Sequence, residues 1–269
     1  MDISTRLQLN NGTKIPVLGL GTWKIDDGDA EKVVLDALGI GYRHIDTAKI
    51  YGNEKGIGKA IKKSGVPRKE LFITTKLWND DHDDIIGACE ESLKKLQLDY
   101  VDLYLMHSPT PVRNESWKTM QQLVKNGKAK TVGVSNFTIR HLNELLSKSK
   151  FVPAVNQVEF STYLYQKELL EFCKSKGIQI EAYSPLTRGR KLNDSKLIMI
   201  ADKYNKSPAQ VLIRWVIQHA MVVIPKSKSR ERLEENMDVF DFNISQEDMK
   251  KLDGFNENLR VTWDPEGIE

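Results

Sequence analysis

The stretch HIDTAKIYGNE (44–54) sets an aspartate, Asp46, at the end of a short apolar run and a tyrosine, Tyr51, five residues further on. Two more apolar runs end in polar residues of other types: Lys76 in LFITTKLW and His107 in VDLYLMH. Singly, each has an ordinary explanation. Asp46 suits a turn or helix cap, Lys76 a paired rim charge, His107 a hydrogen-bonded rim residue, and Tyr51 simple packing. Together they suit one chemistry. A tyrosine has a pKa of about 10 in water, so it donates a proton near neutrality only where its surroundings ease the release. A neighbouring ammonium does this by favouring the phenolate, and an aspartate holds that ammonium charged. A histidine can then donate a hydrogen bond to an oxygen that becomes negative. Such a set fits a carbonyl group that receives hydride on carbon and a proton on oxygen.

Residues so far apart must be brought together by the fold. After an N-terminal hairpin signal (RLQL, the turn NNG, KIPVL), apolar runs of strand length alternate with helical segments. The runs are LGLGT, YRHIDT, LFITTK, VDLYLMH, KTVGVSN, AVNQVEF, IQIEAYS and MVVIPKS, eight in all. In DAEKVVLDAL, residues Ala30, Val33, Val34, Ala37 and Leu38 fall on one helix face. Ser207, Pro208 and Gln210 spell a helix start with an N-cap, a proline at N1 and a capping box. Eight strand-helix alternations predict parallel βαβ units. The count, the length and the lack of a dinucleotide fingerprint after an early strand favour a (β/α)8 barrel with an N-terminal β-hairpin, one domain over 1–269. The glycines of GIGKAI fall in a helix and make a weak motif. The runs end in Asp46, Lys76, His107, Ser135 with Asn136, Gln157 with Glu159, Tyr183 with Ser184, and Lys226 with Ser227. In a barrel these strand ends form one rim.

Composition narrows the class. Forty lysines and arginines against 37 acids leave a net charge of +3 with no basic block, which gives no argument for nucleic acid or an acidic membrane surface. The N-terminus lacks a leader pattern and no apolar run reaches bilayer length, so a cytoplasmic protein is the expectation. Cys89 and Cys173 stand alone and read as core residues. There is no HxH or HExxH spacing for a metal, and His44, His82, His141 and His219 read as structural.

The ordered motifs GLGTWK (19–24), HIDTAKIYGNE, ITTKLW (73–78), DLYLMH (102–107), GVSNF (133–137), VNQVE (155–159), AYSPL (182–186), and IPKS with RLEEN (224–236) resemble the aldo-keto reductases, above all compact microbial members such as the diketogluconate reductases. The resemblance spans nearly the whole chain. It implies an NADPH-dependent, reversible reduction of aldehydes or ketones (small carbonyls, dicarbonyls or open-chain sugars) on a (β/α)8 barrel. In that reading Tyr51 is the general acid, Lys76 and Asp46 tune it, and His107 orients the carbonyl.

The resemblance also implies a cofactor site. Ser135, Asn136 and Gln157 would take the nicotinamide carboxamide, Tyr183 would stack on the ring, and Thr22 and Asp46 would approach the ribose. Ser184 and Leu186 lie on the pyrophosphate segment. Lys226, Ser227 and Arg232 fall at the 2′-phosphate, with Glu235 and Asn236 near the adenine. An arginine that can grip phosphate bidentately, beside a helix start, agrees with NADP over NAD, while Lys228 and Arg230 read as solvated. Two departures concern the substrate. Ser108 follows His107 where many members carry tryptophan, and the loops after His107 and Leu186 are short. The expectation is an open pocket lined by Trp23, Tyr51, Trp78, His107 and Trp263. Other readings are a Schiff-base lyase using Lys76 as nucleophile and a cofactor-binding protein with little turnover. A monomer is the default.

Overall fold

The computed structural model describes residues 2–268. It opens with an antiparallel hairpin of β1 (Arg6–Gln8) and β2 (Lys14–Pro16). The connection differs from the two-residue turn suggested by NNG. Gly12 N–H donates to the Leu9 carbonyl at 3.0 Å and only Gly12 takes a positive φ, 86°. That pattern suits a longer loop closed by a left-handed glycine.

Eight strands follow: β3 (Leu20–Gly21), β4 (His44–Asp46), β5 (Phe72–Leu77), β6 (Val101–Met106), β7 (Ala129–Ser135), β8 (Val155–Glu159), β9 (Gln179–Tyr183) and β10 (Val222–Val223). They pair in sequence order, every neighbour parallel. The ends meet where Leu18 bridges Val223 in parallel and Gly19 N–H donates to the Val223 carbonyl at 2.9 Å, which closes the barrel. Both glycines of GLGTW are needed at this seam. A Cβ on Gly19 would stand 2.6 Å from His44 Nδ1, and one on Gly21 2.8 Å from the Ile224 carbonyl oxygen. Each of the eight apolar runs becomes a barrel strand.

The helices are α1 (Asp27–Ile40), α2 (Glu54–Ser64), α3 (Ile85–Leu96), α4 (Arg113–Lys125), α5 (Ile139–Lys148), α6 (Lys167–Ser175), α7 (Ser195–Lys203), α8 (Pro208–Gln218), α9 (Arg230–Met237) and α10 (Gln246–Asp253). The buried side chains of α1 are the five expected from its periodicity. Ser207 and Gln210 cap α8 reciprocally, with Pro208 in the first turn. Cys89 and Cys173 are buried on α3 and α6. No described helix is long and apolar enough to cross a membrane.

Two apolar layers form. The larger lies between strands and helices. The smaller fills the lower barrel, where Leu9 and Ile15 of the hairpin region pack on Phe72, Leu103, Leu105, Val155 and Val222. Successive inward positions, two residues apart, then change character up each strand: Phe72, Thr74 and Lys76 on β5, and Val155, Gln157 and Glu159 on β8. The hairpin thus plugs an apolar floor, and the polar residues are left to the C-terminal mouth.

Candidate active site

Lys76 is the hub. Its side chain is fully buried, and its ammonium donates to Asp46 Oδ1 at 2.8 Å, to the Thr47 carbonyl at 2.8 Å and to the Tyr51 hydroxyl at 3.5 Å. Three acceptors account for the three ammonium donors. Asp46, also buried, accepts from Gln157 Nε2 on its other oxygen at 2.7 Å. The His107 ring stands edge-on between Tyr51 and Trp78, with ring centres 5.8 Å and 5.1 Å apart. Four residues, two at the ends of β4 and β5, one just past β6 and one on a loop, therefore meet at the mouth.

The loop between β4 and α2 holds Tyr51 in a short 3-10 turn, Lys49–Tyr51, that ends on Gly52 at a φ of 69°. Lys49 is tied outside to Asp81 and Glu91 at 2.8 and 3.0 Å. Inside, the buried Asn53 accepts from the Thr47 hydroxyl at 2.6 Å and donates to the carbonyls of Thr22 and Ile25. Asn53 fixes the loop from within. Nothing in its residue type or spacing marked it beyond its place in the motif.

Electrostatics correct one expectation. Burial raises the Tyr51 pKa above the phenolic value, and the Lys76 charge, which pulls it down, does not offset that. Lys76 acts in the expected direction, but desolvation is the larger effect. Burial disfavours the Lys76 ammonium, yet Asp46, Tyr51 and Glu181 outweigh it and the lysine holds its proton more tightly than in water. At Asp46, burial pushes up and Lys76 and Gln157 pull down. The 2.8 and 2.7 Å contacts are those of a carboxylate in an ion pair. Burial and Lys76 together hold His107 down at about 3, so it is a neutral imidazole.

The residues expected to hold a cofactor lie along the rest of the rim. Ser135 donates to the Gln157 carbonyl at 2.8 Å. Asn136, at a φ of 63°, donates to the His107 carbonyl at 2.9 Å and accepts from the Tyr183 hydroxyl at 2.8 Å. Thr22 donates to the Asp46 carbonyl at 2.8 Å. Ser184 sits at a φ of 50° where β9 ends, and Leu186 packs on the core. Lys226 and Ser227 follow β10, and Arg232 lies in the first turn of α9, which Ser229 caps. Among the described residues neither Lys226 nor Arg232 forms an ion pair, whereas Lys228 is bound to Asp26 and Asp29, and Arg230 to Asp36 and Glu234. Asn236 is buried. Glu235 accepts a 2.5 Å hydrogen bond from Ser207 and so braces the start of α8.

The aromatic lining divides. Trp78 touches His107, but Trp23 and Trp263 are 40% and 43% exposed and make no ring contact with the cluster. The Trp23 indole instead has Lys24 and Arg188 cations 4.5 Å from its centre. Ser108 is buried and donates to Asn79 at 2.5 Å, holding the turn after Trp78. Glu159 has a separate task. Its carboxylate accepts from the Val261 and Thr262 amides at 2.6 and 3.1 Å and from the Thr262 hydroxyl, fastening the C-terminal tail to the mouth. His82, His141 and His219 serve local contacts with Ser116, Thr138 and Asp253.

Residues 17–195 and 190–257 match the aldo/keto reductase family. The chain is 50% identical over 266 residues to glyoxal reductase of Bacillus subtilis (strain 168), covering 97% of this chain and 96% of that protein. This chain belongs to the aldo/keto reductase family. It is 45% identical over 267 residues to methylglyoxal reductase DkgA of Escherichia coli (strain K12), with 97% of each covered. Among solved structures, the Bombyx mori aldo-keto reductase in complex with NADP superposes with a TM-score of 0.91 at 39% identity, over 96% of this chain and 94% of that one. As an aldo/keto reductase the chain is an oxidoreductase acting on carbonyl groups, and the barrel with its hairpin is the family's fold.

Proposed function

We propose that this aldo/keto reductase uses NADPH to reduce small aldehydes and dicarbonyl compounds to alcohols, with Tyr51 as proton donor. The observation that carries the proposal is the buried Asp46–Lys76 pair ending at the Tyr51 hydroxyl, beside a neutral His107.

The rim fits NADP(H). Lys226 and Arg232 are cations without carboxylate partners next to a helix start, which is the donor set a phosphate monoester needs. Gln157 Oε1 has no donor among the described residues, leaving an acceptor for a carboxamide, and the half-buried Tyr183 ring suits stacking. Thr22 and Asp46 border the ribose end, with Ser135, Asn136, Ser184, Leu186, Ser227, Glu235 and Asn236 along the remaining contact. When bound, the cofactor supplies the hydride.

The protein's own part is positioning and proton handling. Tyr51 keeps its proton near neutrality because its pKa is raised, so it can donate to the carbonyl oxygen as negative charge develops there. Lys76 lies 3.5 Å from the same hydroxyl and stabilises the phenolate left behind. Asp46 keeps Lys76 charged, and the neutral His107 donates to the substrate oxygen. A Schiff base at Lys76 would need a free amine, which the ion pair and the raised pKa oppose. The names of the glyoxal and methylglyoxal reductases favour dicarbonyls over sugars. The reading takes 1–269 as one domain acting as a cytoplasmic monomer.

NADPH oxidation followed with glyoxal, methylglyoxal and a panel of aldehydes and ketones, repeated with NADH, tests substrate class and cofactor preference. Tyr51→Phe should lower turnover about 10²–10⁴-fold with little loss of NADPH affinity. Reduction by that variant at the original rate would sink the assignment.

A further inference from the structure

Beside Gln157, on the neighbouring strand β9, the barrel buries a further carboxyl, Glu181. It lies in the apolar run IQIEAYS, two residues before the rim tyrosine Tyr183. Among the described residues no lysine or arginine forms an ion pair with it. Glu181 Oε2 is 3.2 Å from Gln157 Nε2, and Oε1 is 3.5 Å from Nε2 of the buried His44, itself 3.2 Å from the Thr74 hydroxyl. Asp46 and Lys76 face the same space. With Asp46 and Lys76 cancelling, an ionised Glu181 would be an uncompensated charge in a closed interior, which is costly. Burial and the nearby Asp46 accordingly push its carboxyl well above the usual range, while burial and Lys76 hold His44 neutral. A neutral acid has one O–H to give and can accept on its other oxygen. Gln157 is in place for the accepting oxygen, while Oε1, which approaches His44, makes no hydrogen bond among the described residues.

The consequence falls on Gln157. Its Nε2 has two hydrogens and two acceptors, Asp46 Oδ2 at 2.7 Å and Glu181 Oε2 at 3.2 Å. The reverse orientation would put the amide oxygen against the Asp46 carboxylate, which is repulsive. A planar amide held at its nitrogen by two acids can offer only its oxygen elsewhere.

We infer that Glu181 is a positioning residue for the reduction: with Asp46 it clamps the Gln157 amide nitrogen in the barrel, so that Gln157 presents only its oxygen to a carboxamide N–H. The inference rests on the proposed NADPH reading. It assigns Glu181 no contact with cofactor or substrate, and its effect must pass through Gln157.

A double-mutant cycle on NADPH affinity tests it, with the dissociation constant read by protein fluorescence. Glu181→Leu and Gln157→Leu should each weaken NADPH binding about three- to tenfold, the effect of one hydrogen bond. The double variant should be no weaker than Gln157→Leu alone. Glu181→Gln, which keeps a donor and an acceptor, should recover most of the affinity lost in Glu181→Leu. Effects that add, native affinity in Glu181→Leu, or equal loss in Glu181→Gln would each overturn the inference. If Glu181→Leu does not fold, Glu181→Thr runs the same cycle. Failure of the unaltered protein to bind NADPH would instead overturn the functional reading.

Discussion

The lower and upper halves of the barrel interior share strands β5 and β8 and obey opposite rules. Below, Leu9, Ile15, Phe72, Leu103, Leu105, Val155 and Val222 pack as one apolar cluster. Above lie Asp46, Lys76, Gln157 and Glu181, all buried and joined by hydrogen bonds or charge, with Lys76 on the strand of Phe72 and Gln157 on that of Val155. The lower half is held by apolar area, which is non-directional and tolerant of repacking. The upper half depends on each donor meeting its acceptor, and removing one partner leaves another buried and unsatisfied.

The sharpest break in that contrast is Lys76→Met. It strands the buried Asp46 carboxylate and should cost about 3–5 kcal/mol of stability, measured by denaturant unfolding, together with loss of reduction. Ile15→Ala, in the floor, should cost about 2–5 kcal/mol by the same measurement while leaving turnover at low temperature unchanged. Loss of catalysis in that variant out of proportion to unfolding would show that the halves are not separable. At the rim, Arg232 is exposed and forms no ion pair among the described residues, and Arg232→Ala should weaken NADPH about tenfold and leave NADH affinity alone. Lys228→Ala, whose ammonium is committed to Asp26 and Asp29, should change neither.

A smaller effect concerns pH. His107 protonates in the unfolded chain near its ordinary value of 6.5, but in the fold only at about 3. Between those values the unfolded state binds more protons, so stability falls as pH drops, by up to about 1.4 kcal/mol per unit. Unfolding measured at pH 6.5 and pH 4.5 should show a shallower decline in His107→Gln than in the unaltered protein.

Much of the site was legible because a parallel barrel converts strand ends into one rim. Asp46, Lys76 and His107 each end an apolar run, and that regularity is one-dimensional. Tyr51 followed from its fixed offset on the loop after Asp46. The ionic roles of Lys228 and Arg230 were readable only as surface charges, and their partners Asp26, Asp29 and Asp36, at the start of α1 and on it, come from a different part of the chain. Glu181 escaped notice, and His44 read only as structural, because each sits inside an apolar run whose inward face is unknown until the register of β8, β9 and β4 is fixed. A glutamate two residues before the rim tyrosine Tyr183, hence on the same face, was the available signal. Asn53 had no such signal, since its partners are backbone carbonyls of another loop.

By itself the sequence determined the periodicities, the eight strands, the capped helices and the residue types at the strand ends, because these depend on local geometry and on side-chain chemistry. The tertiary structure alone decided how the polar groups are shared. It put three acceptors on Lys76, two acids on Gln157, and enough protein around Tyr51 that desolvation exceeds the pull of the lysine. Pairing and desolvation are set by distances across the barrel, and those distances exist only when all eight strands have closed.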